Sequence, residues 1–390
     1  RLGSLQLAIW QIMLGGALVV VLGGGIRPLD AWAAIDWEVI AYLFGVFLIG
    51  RAMVSSGWLF TMSTRMFGAI ISADGLLLGV LFASGIASAV LMNDTLAVIG
   101  TPMTYILARA HRLPAELLLL ALTVSVTIGS AMSPIGNPQN LLIAIQGEFS
   151  SPFLDFFLSL GPPSLINLGL TYALLKLYYR REVHGEVLVH PPANVSDRRF
   201  GRLAGLCFWL LVALSGLRIL VSVLAPTWSF PLVWIALGAA TPLLWLPTGR
   251  LRLVREIDWP TLIFFAAMFV LMRSVWDTGL IQSWLPARTP GVGEILVASV
   301  LGSQLISNVP LVALALPLLP SQDTGLLLAL AAGSTIAGNL SLTGAASNVI
   351  IVQNAERHGA SLSFWLFLKL GLPLTLINLG VYHLWLVWLA

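Results

Sequence analysis

The chain has 390 residues, of which 58% are hydrophobic and 9% charged, with a formal net charge of +3. A soluble domain carries about 25% charged residues, so this composition excludes a soluble enzyme and places the chain in a bilayer. The arginines sit in short loops and give no nucleic-acid signal, and one cysteine, Cys207, excludes an internal disulfide framework.

In chain order, apolar runs near the ~20 residues that cross the hydrocarbon predict spans at 5–26, 38–54, 115–145, 163–180, 203–225, 228–248, 260–276, 325–350 and 371–389. The first is too long and too Gly-interrupted for a signal peptide. Two further regions, 76–109 and 291–320, each have about fifteen apolar residues, a polar tip and about fifteen more. The tips are Met92-Asn93-Asp94-Thr95 and Ser307-Asn308-Val309-Pro310. Arms this short predict re-entrant helical hairpins; one long kinked helix or two short tilted spans are the alternatives.

The same unit occurs twice. Ile35-Asp36-Trp37 recurs as Ile257-Asp258-Trp259, and an arginine follows each Trp by fourteen residues, Arg51 and Arg273. Six residues later comes a glycine, Gly57 and Gly279. Thr127-Ile128 recurs as Thr335-Ile336, and Ser133-x-x-Gly136-x-x-x-Asn140 as Ser341-x-x-Gly344-x-x-x-Asn348. A duplicated, polar-interrupted hydrophobic unit is the pattern of a secondary transporter with its site at the repeat interface.

Residues 1–180 form repeat 1, 181–202 a linker with Pro191 and Pro192, and 203–390 repeat 2. Arginines gather after residue 180, at 249–256 and at Arg109 and Arg112, against Arg27 and Arg288 opposite. The positive-inside rule makes the arginine-rich side, the linker and the N-terminus cytoplasmic. The repeats are then inverted, and the amphipathic stretches 58–72, 152–161, 280–288 and 361–369 lie along the interface.

The chemistry is expected where the apolar runs break, because irregular backbone at membrane depth is tolerated only when buried in protein or lining a cavity. Pro134 and Pro138 cannot continue a helix through 133–140, and Gly136 adds freedom. Gly338-Asn339 and Gly344 loosen the second copy. Such breaks expose half-helix N-termini, natural seats for oxygen-rich ligands. The candidate binding residues are Asn93, Thr95, Ser307 and Asn308 in the tips. In the breaks they are Ser133, Gly136, Asn137, Asn140, Ser341, Thr343, Gly344 and Asn348. Asn93 and Asn308 could instead cap their turns, and Arg51 and Arg273 could snorkel or line a vestibule; Asp277 is placed to pair with Arg273.

Asp94 stands apart. A carboxylate inside a membrane is costly and is by default a functional hypothesis. It suits proton coupling or a cation ligand, and it could also cap the second arm. Its counterpart in repeat 2 is Val309, so one tip is acidic and one neutral. Neither a metal-ligand cluster nor a nucleophile motif is present, so no metal, cofactor or enzymatic activity is expected.

Asn93-Asp94-Thr95, the Ser133–Asn140 break, Ser307-Asn308-Val309-Pro310 and the segment from Gly338-Asn339 to Asn348 resemble the ion transporter superfamily, over about residues 30–390. Within it they look most like the ArsB-type arsenite efflux and anion permease branch. The resemblance implies an all-α integral membrane fold of about 9–10 transmembrane helices, two hairpins and two broken helices. It also implies a scaffold and a transport domain, elevator-like alternating access and a bacterial-type inner membrane. Carboxylate-transporting relatives carry Ser-Asn-Thr in each tip, which these tips do not match. The expected function is proton-coupled efflux of arsenite or antimonite, with Asp94 carrying the proton and an arsenical-pump ATPase subunit as one conceivable partner. A sodium/proton antiporter and a sodium-coupled anion carrier are the alternatives.

Overall fold

The computed structural model describes residues 8–58, 61–62, 67, 70, 72–180, 198–224, 231–245, 249–280, 290–320 and 322–389. The described residues are mostly helical, with no strand among them. Six helices among the described residues are long and apolar enough to cross a membrane.

Repeat 1 opens with α1 (Ile9–Leu22), a short α2 (Pro28–Ala34) and α3 (Trp37–Ser55). Hairpin 1 is α4 (Ala73–Leu91) and α5 (Asn93–Ala110). The broken helix is α6 (Ala115–Ser130) and α7 (Pro138–Gln146), followed by α8 (Pro152–Tyr178). After the linker come α9 (Arg198–Leu224), α10 (Val233–Leu244), α11 (Arg250–Arg255) and α12 (Trp259–Asp277). Hairpin 2 is α13 (Val292–Ile306) and α14 (Asn308–Ala315), extended by a 3₁₀ turn, Leu316–Leu318. The second broken helix is α15 (Thr324–Ile336) with a 3₁₀ turn, Ala337–Asn339, then α16 (Ala346–Arg357); α17 (Phe364–Leu389) closes the chain.

The repeated residues bound the repeated helices. Asp36 accepts the Val39 N–H and Asp258 the Thr261 N–H, so both are N-caps. Gly57 (φ 72°) and Gly279 (φ 73°) follow the helix ends in the left-handed region, where a side chain would be strained. Packing exchanges the repeats: α1 lies on α12 of the other repeat, and α10 lies on α3. The first arms of the hairpins instead stay with their own repeat, α4 against α6 and α13 against α15.

Several boundaries differ from expectation. The arms of hairpin 1 have 19 and 18 residues rather than about fifteen, because Ser72 caps α4 ahead of the apolar run and Pro102 does not stop α5. At about 28 Å, α4 is long enough to span. Neither tip is a continuous helix, since Met92 and Ser307 interrupt the ladder with positive φ. The stretch 152–161 is not a separate helix but the first turns of α8. Pro162 and Pro163 remove two adjacent ladder bonds without ending it. Residues 364–369 are likewise the first turns of α17. The 203–225 span begins earlier, at Arg198, so 198–202 is helix rather than linker. Helices α1 and α10, with 14 and 12 residues, are shorter than the runs 5–26 and 228–248. Residues 181–197, 281–288 and most of 58–72 lie outside the described residues.

Candidate functional site

Each hairpin is tied to the break of its own repeat. The Asn93 N–H donates to the Gly136 carbonyl at 3.0 Å. In hairpin 2 the Gln304 amide nitrogen donates to the Ala337 carbonyl at 2.8 Å, and the Ser341 hydroxyl donates to the Gln304 carboxamide oxygen at 2.8 Å. The second arms then cross over: α5 packs on α16, and α14 on α7. Both tips and both breaks therefore belong to one region built from the two repeats.

The breaks are held by matched bonds. The Asn140 amide donates to the carbonyls of Ser130 and Ser133, each at 3.1 Å. The Asn348 amide donates to those of Gly338 at 2.6 Å and Ser341 at 3.2 Å. In both repeats the carbonyls lie ten and seven residues upstream. The Ser130 and Gly338 carbonyls are ones that the end of a half-helix leaves unpaired, whereas those of Ser133 and Ser341 also accept the Gly136 and Gly344 N–H groups. A Cβ on Gly136 would meet the Ser130 carbonyl oxygen at 2.2 Å, and one on Gly344 the Ala337 oxygen at 2.7 Å. The glycines are there because the chain folds back onto its own backbone.

The matched threonines link the breaks. The Asn137 amide donates to the Thr335 hydroxyl at 3.0 Å, and that hydroxyl donates to Asn140 Oδ1 at 3.3 Å. Thr127 lies against Gly338, where an added Cβ would meet its Cγ2 at 3.2 Å. Each threonine thus rests on the opposite repeat's break.

Polar capacity is unequal. In repeat 1, Ser133, Asn137 and Asn140 are buried and bonded to protein. Asn137 Oδ1 accepts the Asn140 N–H at 2.8 Å, so it caps α7 itself. Asn93 Oδ1 accepts the Asp94 N–H at 2.9 Å, a local cap. In repeat 2, the buried oxygens Asn308 Oδ1, Asn348 Oδ1, Ser347 Oγ and Ser303 Oγ have no hydrogen-bond partner. Ser307 and Thr343 are exposed beside them, and the N-cap of α16, Ala345, offers no side-chain cap.

Asp94 sits in the first turn of α5, half-buried, with no ion-pair partner among the described residues. Asp258 lies within electrostatic range of its carboxylate. Neighbouring Thr95 fills against Gly50 of α3, where an added Cβ would meet Thr95 Cγ2 at 2.8 Å. Beyond that contact Arg51 pairs with Glu256 of repeat 2 at 2.6 Å, and Arg252 joins from the other side at 2.7 Å. Arg273 pairs with Asp277 at 3.0 Å, as its spacing predicts. The described residues contain no group of three or more side chains suited to a metal ion.

Two features were missed in the sequence. Gln304 has Ala89 at its matched position, so the repeat alignment gave it no signal. The strained tips were the other: Met92 (φ 61°, ψ 142°) and Ser307 (φ 74°, ψ 162°) adopt matched backbone angles although their side chains share nothing.

The family model for citrate transporters, CitMHS, matches residues 4–325. Among curated proteins, the silicon efflux transporter LSI3 of Oryza sativa subsp. japonica is 28% identical over 93% of this chain and 89% of its own length. An uncharacterized transporter of Mycobacterium tuberculosis is 29% identical over 96% and 93%. Among solved structures, the YdaH transporter of Alcanivorax borkumensis superposes with a TM-score of 0.60 at 17% identity, covering 95% of this chain and 88% of that one. MtrF of Neisseria gonorrhoeae does so at 0.56 and 11% identity, covering 99% and 96%. Those likenesses establish the fold as that of an all-α membrane transporter, and the match over 4–325 establishes that the chain belongs to the citrate transporter family.

Proposed function

We propose that the chain is a proton-coupled efflux carrier for a small, neutral, hydroxylated solute of the arsenite or antimonite type, bound mainly by repeat 2. The supporting observation is the group of partnerless buried oxygens around tip 2 and break 2: Asn308 Oδ1, Asn348 Oδ1, Ser347 Oγ and Ser303 Oγ. Two are amide acceptors and two are hydroxyls. They suit a ligand that donates several O–H groups, because an unmet buried acceptor costs about 1–3 kcal/mol. Arsenite near neutral pH is mainly such a trihydroxide, and silicic acid, the soluble neutral form of silicon, has the same chemistry. Gln304, Ser341 and Thr343 form the polar rim.

Asp94 is the proton carrier in this proposal. Its carboxylate is half-buried and lacks a cationic partner among the described residues. Charge on it opposes the nearby Asp258, so protonation eases movement of tip 1 past the N-terminus of α12. The proton enters from outside, and its release inward accompanies solute exit.

A carboxylate substrate is the second reading. It is favoured by the uncapped N-terminus of α16, whose free N–H groups suit an anion; the capped α7 does not offer the same. Uptake of arsenite, silicic acid and citrate into everted vesicles under an imposed pH gradient separates the two. Gradient-driven uptake of citrate alone would contradict the neutral-solute proposal.

A further inference from the structure

Leu165-Ile166-Asn167-Leu168-Gly169 of α8 recurs as Leu376-Ile377-Asn378-Leu379-Gly380 of α17. Around each asparagine runs a stripe of buried polar residues three and seven apart: Ser164, Asn167, Thr171 and Thr375, Asn378, Tyr382. Such spacing puts each stripe on one helix face. Ser164 and Tyr382 hydroxyls meet at 2.6 Å, and Lys369 at the start of α17 lies over the Tyr178 ring at the end of α8. The helices are therefore antiparallel, and the register that joins 164 to 382 sets Thr171 opposite Thr375.

The two ends of this seam are filled differently. At one end Tyr382 reaches Ser164 and faces Asn167. At the other its matched residue is the short Thr171, whose hydroxyl returns to the Asn167 carbonyl. Asn339 enters there instead, where repeat 1 has Ala131, and donates to Asn378 Oδ1 at 3.1 Å. Three atoms at this end are left without a partner, Thr375 Oγ1, Asn339 Oδ1 and Asn378 Nδ2, and on α8 both amide atoms of Asn167 are also without one. The Thr375 hydroxyl is unusual, since those of Thr101, Thr104, Thr123, Thr127 and Thr171 all donate to the carbonyl four residues back.

We propose that Thr375, Asn339 and Asn378 bind one ordered water molecule that joins the second helix break to α17. The partners fit water: a buried water makes about three hydrogen bonds to otherwise unsatisfied groups. It donates to Asn339 Oδ1, accepts from Asn378 Nδ2 and bonds the Thr375 hydroxyl. A cation would face the Asn378 N–H, and an anion would face Asn339 Oδ1. Exchanging oxygen and nitrogen in both amides still leaves one donor and one acceptor, so the fit does not depend on that assignment. Asn339 ends the first half of the broken helix. The water thus adds Thr375 to the direct Asn339–Asn378 bond, whereas the other end of the seam is closed by the direct Ser164–Tyr382 bond.

The test is a structure of the full chain at a resolution that shows ordered water, with three variants. A peak within hydrogen-bond distance of all three atoms is expected in the wild type and in Thr375→Ser, which keeps the hydroxyl. It should weaken or vanish in Thr375→Val, which keeps the shape. The pair Thr171→Tyr with Asn339→Ala imports the tyrosine arrangement of the other end and should abolish it. If that pair fails to fold, Thr375→Val against Thr375→Ser decides. A wild type in which the three groups bond directly to protein, a peak undiminished in Thr375→Val, or a peak that requires sodium would each overturn the proposal. The inference rests on packing and stands whichever solute is carried.

Discussion

Asn140 and Asn348 each stitch a break to carbonyls ten and seven residues upstream. Removing either amide strands the carbonyl oxygen of Ser130 or Gly338, while those of Ser133 and Ser341 keep the N–H of Gly136 and Gly344. Asn348→Ala should therefore lower stability by about 1–3 kcal/mol, and Asn140→Ala by a similar amount, read as a fall in the thermal midpoint in detergent. Gly136→Ala should be worse than either, because its Cβ would sit 2.2 Å from the Ser130 oxygen. At this scale the sequence was informative wherever a residue type has one physical reason to recur. Repeated Asp36 and Asp258 are caps, repeated Gly57 and Gly279 are stops, and Thr335 of the repeated threonines is a cross-link. It was silent at Gln304, which acts through one repeat alone. It hid Asn167 and Asn378 in continuous apolar runs, where a shift in the spacing between the repeats masks their match.

Among the elements, the hairpin tips carry stored strain. Met92 and Ser307 sit with φ of 61° and 74° and extended ψ, a region almost confined to glycine that costs about 1–3 kcal/mol per residue. Ser307 is exposed and loses little packing on truncation. Ser307→Gly should raise stability by about 1 kcal/mol after the entropy cost of glycine in the unfolded chain; chemical unfolding measures it, and a lower midpoint would show that the tip is not strained. No residue pattern announced these angles, since a methionine and a serine occupy them. Helix ends were also hard to place from hydrophobicity alone: α8 passes through Pro162 and Pro163, and α4 begins at its Ser72 cap rather than at its apolar run.

At the scale of the whole molecule, the repeats are interlocked. α1 packs on α12, α10 on α3, α5 on α16 and α14 on α7. Arg51 reaches across to Glu256, and together with Arg252 it holds the Glu256 carboxyl below the ordinary carboxylate range, Arg252 contributing more. A carboxyl depressed in the folded state contributes stability above its unfolded pKa and loses it as pH falls through the folded value. The thermal midpoint should therefore drop on acidification below the ordinary carboxylate range, and Glu256→Gln should remove part of that drop. The effect should be small, because the pair is partly exposed. The duplication and the site region were legible because duplicated chemistry repeats in the sequence. Which helix packs on which was not, because the exchange between repeats depends on contacts hundreds of residues apart.

In the proposed mechanism Asp94 couples proton movement to efflux of a neutral hydroxylated solute. The most direct measurement is solute flux in proteoliposomes under an imposed pH gradient, comparing wild type with Asp94→Asn for arsenite, alongside gradient-free exchange of the same solute. The expected result is gradient-driven arsenite flux in wild type, loss of that drive in Asp94→Asn, and exchange retained in both. Undiminished gradient-driven flux in Asp94→Asn would contradict the coupling role, and indifference of the wild type to arsenite would contradict the solute.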